Sequence, residues 1–539
     1  MYITRIMKRL LLLAAIVLFP GAASYATPQD EILEQAADLL KTKSFKQKYQ
    51  AVTLLADSGS PRAEIILKAL LERRLYILKK TKQLVIAEKQ EKEYSLEDAL
   101  NSESLGVHAK RSLKKISLNN KMRSQIRGAL ASFDLKSPDS DKRLAAVRQM
   151  LDRADAEKAA LIRPLLQQER NPDVREAMEI IVALDDLGSD DPHTRDSAIA
   201  YLSGNIHPSV RNALNRLQQN TEDRALGDTI EQALDSIDAK LQFYSIIENL
   251  FFGLSLGSVL VLAAIGLAIT FGVMGVINMA HGELIMIGAY TTYVIQLLMP
   301  EHIGASILIA IPTAFLVSAL VGIAIERGVI RFLYGRTLET LLATFGISLI
   351  LQQTVRTIFS PLNRSVETPA WMSGAWEINS ALSLTMNRLY IIAFCLLVFA
   401  ALFFVLKKTS LGLQVRAVSQ NRAMARAMGV RSERVDAMTF GLGSGVAGVA
   451  GVALSQLTNV GPNLGQAYII DSFMVVVFGG VGNLWGTLVS GMTLGVANKF
   501  LEPWSGAVLA KILVLVFIIL FIQKRPRGLF PQKGRAAEG

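Results

Sequence analysis

The sequence predicts an all-α chain in two parts: a polytopic membrane helix bundle of eight or nine segments, preceded by an exported domain of helical repeats. Three observations carry this expectation. Charge is unevenly spread, with 34 basic and 34 acidic side chains in residues 27–240 but 20 basic and 12 acidic ones in the longer stretch 241–539. That second stretch is crowded with apolar runs of spanning length. The first shows apolar residues at helical spacing and a recurring proline-initiated phrase. At 539 residues and 51% hydrophobic content, the chain is too long for one compact core and too apolar for disorder. A single cysteine, Cys395, excludes a disulfide scaffold. The charge-neutral first half offers no positive field to attract phosphate, so no nucleic-acid partner is expected.

The N-terminus reads as an address. Arg5, Lys8 and Arg9 precede the ten-residue apolar run Leu10–Phe19, then Pro20, Gly21 and the small residues up to Ala26. A basic region, a short apolar core and a Ser-x-Ala end predict a signal peptide over residues 1–26, cleaved after Ala26. Ten apolar residues cover about half of a bilayer core, which disfavours an uncleaved anchor. The following domain, residues 27–243, is therefore expected in the periplasm.

That domain carries apolar residues at 3.6-type spacing, as in Val174, Ala177, Met178, Ile181 and Leu184. A turn-then-helix phrase begins at Pro172, Pro192 and Pro208, with looser copies at Pro61 and Pro138. Proline suits the first helical turn, where its missing N–H has no intrahelical partner. The phrase resembles HEAT-type helical repeats. Between Tyr76 and Glu103, Leu84-Val85-Ile86 and Tyr94-Ser95-Leu96 flank a charged run and predict a short inserted hairpin. The domain reads either as a passive extension or as a docking surface for an exported partner. His108, His193 and His207 lie in unrelated contexts without clustered ligands, and no metal site is expected.

In the membrane domain, residues 244–530, apolar segments fall at about 246–272, 284–299, 305–325, 338–356, 389–406, 437–457, 486–499 and 506–522, with a shorter one at 468–479. Starting outside and alternating, 15 of the 20 basic residues land on the cytoplasmic side, together with the tail 531–539. A multi-pass protein of the bacterial inner membrane with a cytoplasmic C-terminus is expected. Small-residue runs such as Gly441-Leu-Gly443-Ser-Gly445 and Gly448-Val-Ala-Gly451 predict closely packed helices.

Polar residues at membrane depth mark a candidate solute pathway: Asn278, His281 and Glu283 between two spans, Gln352 in the fourth span, and Asn483 in the glycine-rich stretch Gly479–Gly486. Ionisable groups in a membrane face a cavity or a protein interior. Gly-rich interruptions near both ends of the domain are compatible with discontinuous helices around a path. The alternative is that Asn278, His281 and Glu283 simply cap a helix at the interface. Enzyme readings fail: His281-Gly-Glu283 lacks the Cys pair of a zinc deaminase, Gly253-Leu-Ser255-Leu-Gly257 lies inside a span, and the absence of any Gly-Lys dipeptide excludes a Walker A loop. No catalytic residue, metal or cofactor is assigned to this chain.

The loop from Lys407 to Val430 predicts a basic, amphipathic helix with Val415, Val418, Met424 and Met428 on its apolar face and Gly429 at its C-terminal end. Gly412, Arg416, Ala417, Asn421, Ala425 and Gly429 form a string similar to the ATPase-contacting loop of the branched-chain amino acid family of ABC permeases. Gly275-Val-Ile-Asn278-Met-Ala-His281-Gly-Glu283 with Ile287-Gly-Ala-Tyr290, and the late Gly479, Gly480, Gly482 and Gly486, resemble the same family's motifs. The exported extension together with the stretch Phe271–Tyr293 most resembles the urea-type permease subunit.

The resemblance implies an ATP-driven importer of urea or a related small amide, with a branched-chain amino acid importer as the alternative. It also implies a second homologous permease subunit, two cytoplasmic ABC ATPases that use the ATP, a periplasmic solute-binding protein and surrounding membrane lipid. A stand-alone secondary transporter or channel, and an exported sensor with a membrane anchor, remain as readings from other classes.

Overall fold

A computed structural model describes residues 28–42, 44–90, 93–152 and 154–531. The signal peptide expected at 1–26 and nearly all of the tail 531–539 lie outside the described residues. The chain forms two compact units that divide after Ile237, a few residues before the boundary read from the sequence.

The first unit opens with three helices, α1 (Pro28–Lys41), α2 (Phe45–Asp57) and α3 (Pro61–Leu71), whose Leu40, Leu55, Ile66, Leu67 and Leu70 are buried together with Ile126. Five strands follow: β1 (Leu75–Leu78), β2 (Leu84–Gln90), β3 (Glu93–Asp98), β4 (Ser104–His108) and β5 (Leu113–Lys115). They form one antiparallel sheet in the order β4-β3-β2-β1-β5. The all-α expectation is thereby corrected. The expected hairpin exists as β2–β3, paired from Val85↔Asp98 to Gln90↔Glu93, but it is the middle of a larger sheet.

Six helices complete the unit: α4 (Asn120–Asp134), α5 (Ser140–Leu151), α6 (Ala156–Leu166), α7 (Pro172–Asp186), α8 (Pro192–Leu202) and α9 (Pro208–Asn220). The proline phrase is a helix start. Pro61, Pro172, Pro192 and Pro208 each sit in the first turn behind a capping side chain, Ser60, Asn171, Asp191 and His207 respectively. At Pro138 the pattern differs, because Asp139 caps α5 by accepting from the Asp141 amide and leaves the proline outside the helix. The three histidines have separate local settings: His108 Nε2 lies 3.1 Å from the Leu105 carbonyl, His193 follows Pro192 at the start of α8, and His207 caps α9.

The helix α10 (Arg224–Met274) leads into the second unit, which continues with α11 (His281–Leu298), α12 (Ile303–Gly328) and α13 (Thr337–Phe359). A small hairpin, β6 (Ala375–Asn379) with β7 (Leu382–Thr385), precedes α14 (Met386–Lys408). Two short helices, α15 (Ser410–Gln420) and α16 (Arg422–Ala427), lead to α17 (Ser432–Ser455), α18 (Leu464–Gly479) and α19 (Leu484–Lys524). Among the described residues, six helical stretches are long and apolar enough to cross a membrane: Arg224–Met274, Pro300–Phe332, Thr337–Phe359, Met386–Lys408, Ser432–Ser455 and Leu484–Lys524.

That is about six against the eight or nine segments expected, a difference that comes from how two stretches are joined or diluted. The run 284–299 lies in α11, whose His281, Glu283 and Gln296 dilute its hydropathy, and 468–479 lies in the 16-residue α18. The runs 486–499 and 506–522 share α19, interrupted at Gly506 (φ 78°) just after Pro503.

Helix α17 is the core of this unit, with 20 of its 24 residues buried. Its glycines permit this. A Cβ on Gly448 would collide with Ala314 and Ser318 of α12, one on Gly451 with the α11 backbone, and one on Gly445 with the Phe315 ring at 2.6 Å. The nucleophile-like string in α10 is likewise packing: Cβ atoms on Gly253 and Gly257 would each lie 2.7 Å from Cα atoms of α19.

Candidate functional site

Gly275 ends α10 at φ 66°, and the turn that follows folds back to start α11. Asn278 directs Oδ1 to the Ala280 amide at 3.0 Å, and the Met279 amide donates to Thr344 Oγ1 on α13 at 3.2 Å. His281 Nε2 lies 2.8 Å from the Ala263 carbonyl of α10. Ser348 of α13 donates to Glu283 Oε1 at 3.0 Å. One turn further along α13, Gln352 donates to Asn463 Oδ1 at 3.1 Å, and Arg356 donates to the same oxygen at 2.7 Å.

The structure thus brings Asn278, His281, Glu283 and Gln352 into one buried seam between α10, α11 and α13. It also adds residues that the motif reading missed: Thr344, Ser348, Arg356 and Asn463. Their signal was present as a polar stripe every fourth residue, Thr340, Thr344, Ser348, Gln352 and Arg356, along an apolar helix. Four buried polar atoms of the seam, Asn278 Nδ2, His281 Nδ1, Glu283 Oε2 and Tyr290 Oη, have no hydrogen-bond partner among the described residues. Buried polar atoms are normally paired, so four unpaired ones along one seam depart from the usual pattern.

Asn483 does not join this seam. Its Oδ1 accepts from the Gly486 amide at 3.1 Å, capping α19, and its Nδ2 donates to the Phe530 carbonyl at 3.2 Å. It lines a separate open cavity together with Gly412 and Arg416.

The 407–430 loop is two helices rather than the single one expected. Asn421 ends α15 in an extended conformation and caps α16 by accepting from the Met424 amide at 2.9 Å. This break turns α16 away, so Val415 and Val418 are buried while Met424 and Met428 are exposed, and the expected common apolar face is split. Gly412 is required where α15 turns back on α14, since a Cβ there would overlap the Leu406 backbone. Arg416 donates Nη1 to the Leu406 carbonyl. Ala417 accepts from the Asn421 amide at 3.1 Å, and Ala425 is buried. Gly429, at φ 87°, closes α16 with paired bonds, Gly429 N–H to Arg426 and Val430 N–H to Ala425. Arg422 binds buried Asp436 of α17 through both carboxylate oxygens and donates to Tyr334 Oη at 3.0 Å. Burial, with the Asp436 charge beside it, pushes the Tyr334 hydroxyl well above its ordinary pKa.

Residues 249–522 match the family described as branched-chain amino acid transport system, permease component. The chain belongs to this family. It is similar to the high-affinity branched-chain amino acid transport system permease protein LivH of Escherichia coli K12, 30% identical over 298 residues that cover 53% of this chain and 96% of the relative. BraD of Pseudomonas aeruginosa, with the same description, is 29% identical over 301 residues at the same coverage. The ribose import permease protein RbsC of Escherichia coli K12 is 24% identical over 282 residues, covering 51% of this chain and 84% of the relative. No solved structure gives a significant match. The polar seam and the two-helix loop both lie within the permease match, whereas the first unit lies outside it.

Proposed function

We propose that this permease is the membrane-spanning subunit of an ATP-driven importer and that its solutes are branched-chain amino acids. Family membership over residues 249–522 carries this reading. The seam chemistry supports it: Glu283 offers an acceptor for an ammonium group, and the unpaired Asn278 amide offers a donor for a carboxylate. Asn278 also borders an apolar cavity of about 230 Å³ walled by Leu267, Ile277, Leu341, Ile469 and Phe473, suited to an aliphatic side chain. Urea is the second reading, favoured by the N-terminal unit ahead of the permease match, since the match to the branched-chain relatives covers only about half of this chain.

In this scheme, a second homologous permease subunit completes the path and a periplasmic binding protein delivers solute. The N-terminal unit, with its HEAT-like phrases, stands on the periplasmic side as a docking surface. Two ATPases dock on the cytoplasmic loops of the pair, one of them on α15 and α16 of this chain, where Leu413, Met424 and Met428 present exposed apolar side chains on a basic segment. Uptake of labelled leucine and urea, in a deletion strain complemented with this chain and its partner subunits, separates the readings. Leucine accumulation that depends on the ATPases is expected. Accumulation of urea without leucine would move the assignment to the urea type, and uptake by the chain alone would remove the ATP-driven mechanism.

A further inference from the structure

The cavity beside Asn483 has its own chemistry. It measures about 810 Å³ and opens between α10, the end of α14, α15 and the start of α19. Its lining includes buried Ala268 and Ile269 and half-buried Val273 of α10, while the lining cations Lys407 and Arg416 are exposed and mark its rim. None of the described lining residues is acidic. Arg416 is fixed at the rim by its bond to the Leu406 carbonyl, and Lys407 Nζ stands 5.1 Å above the Phe403 ring. Trp485 lines the same space edge-on to Phe399 and Phe403, at 5.1 and 5.9 Å between centroids, and is 52% exposed. The N-terminal end of α19, capped by Asn483, opens on this rim and adds its positive dipole end to the two cations.

We propose that this cavity binds a phosphate-bearing anion, held by Lys407 and Arg416. Two sources carry that chemistry, an anionic phospholipid headgroup and free inorganic phosphate. The apolar wall behind the cations and the half-exposed tryptophan match an amphiphile whose headgroup sits at the rim and whose acyl chain lies against α10. The loop 407–434 is rich in Lys and Arg, the charge pattern of a segment facing an anionic leaflet. This site needs the membrane placement of the permease but not the choice of solute, nor the docking role of α15 and α16.

The test uses the full chain, purified and exchanged into neutral detergent. It is titrated with phosphatidylglycerol, with phosphatidylcholine and with inorganic phosphate, and bound adducts are counted by native mass spectrometry. One phosphatidylglycerol per chain is expected, retained about tenfold better than phosphatidylcholine. The Lys407→Gln/Arg416→Gln double variant should lose that preference, and Lys407→Arg should keep it. Displacement of the lipid by millimolar phosphate, or a phosphate adduct without lipid, assigns free phosphate as the source. Equal retention of the two phospholipids by the native chain, with no phosphate adduct, overturns the site even if the double variant proves unstable.

Discussion

Arg422 grips both carboxylate oxygens of Asp436, at 2.8 and 2.9 Å, across the break between α16 and α17. The guanidinium also lies 4.2 Å from the centre of the Tyr334 ring, so one side chain ties α16, α17 and the loop after α12 together. Asp436 is only 2% exposed. Removing its partner alone leaves a buried charge uncompensated, at a cost of about 3 kcal/mol, whereas replacing both members by apolar residues is close to neutral. Arg422→Met is therefore expected to lower the thermal midpoint of the purified permease sharply, and Arg422→Met/Asp436→Leu to recover most of the loss. Additive losses in the double variant would show that the two residues do not act as a pair.

Gly429 gives a test of the proposed docking loop. An L-residue at its φ of 87° is strained by about 1 kcal/mol, which loosens the paired bonds that end α16. In vesicles reconstituted with the partner ATPases, Gly429→Ala and Arg416→Ala should insert normally and hydrolyse ATP, while less solute moves per ATP. Normal coupling in both variants would remove α15 and α16 from the transmission path.

Glu283 and Ser348 give a test of the seam. Glu283→Gln keeps an acceptor for Ser348 but removes the ionisable carboxyl, and Ser348→Ala removes the one donor bonded to that carboxyl among the described residues. Loss of one hydrogen bond is worth about 1 kcal/mol, so uptake should fall by roughly fivefold in Ser348→Ala, and Glu283→Gln should lower it through loss of the carboxyl, at equal membrane abundance. Wild-type uptake in both would exclude Glu283 from the solute path.

His207 makes the first unit sensitive to acid. Its Nδ1 accepts from the Ser209 amide at 3.3 Å as the cap of α9, and burial holds its pKa below the usual histidine value, with Asp152 opposing the shift. A folded pKa below the unfolded one gives stability that is present above about pH 6.5 and lost as pH falls through the folded value. Hydrogen exchange across Pro208–Asn220, corrected for intrinsic rates, should quicken between pH 7 and pH 5 by the equivalent of about 1 kcal/mol, the worth of one cap. In His207→Asn, which caps without titrating, the pH dependence should disappear. If both chains respond alike, the cap is not the acid-sensitive element.

What was legible in the sequence followed from periodicity and from motifs contained in one stretch. The proline-initiated helices, the β2–β3 hairpin, the glycine packing of α17 and the turn at Gly429 all depend on neighbours within a few residues. Strands β1, β4 and β5 escaped because each is five residues or shorter, and β5, Leu-Lys-Lys, has no apolar alternation. The Arg422–Asp436 pair escaped because it joins a basic loop to an acid within an apolar helix. That acid was itself the available clue. Asn483 shared its polarity with Asn278 but not its setting. An asparagine directly before an apolar helix is a cap by default, and the Gly486 amide uses it as one.

Helix α17 meets its neighbours through places where side chains are missing. Such a contact has no reserve. In many proteins, filling a gap or replacing glycine by alanine raises heat tolerance, but at Gly443, Gly448 and Gly451 even one methyl group has nowhere to go. Efforts to obtain a hardier form of this permease therefore belong on the outward-facing side chains of α13, α14 and α19, where Leu342, Leu397 and Val516 are exposed and substitution leaves the bundle's inner spacing untouched.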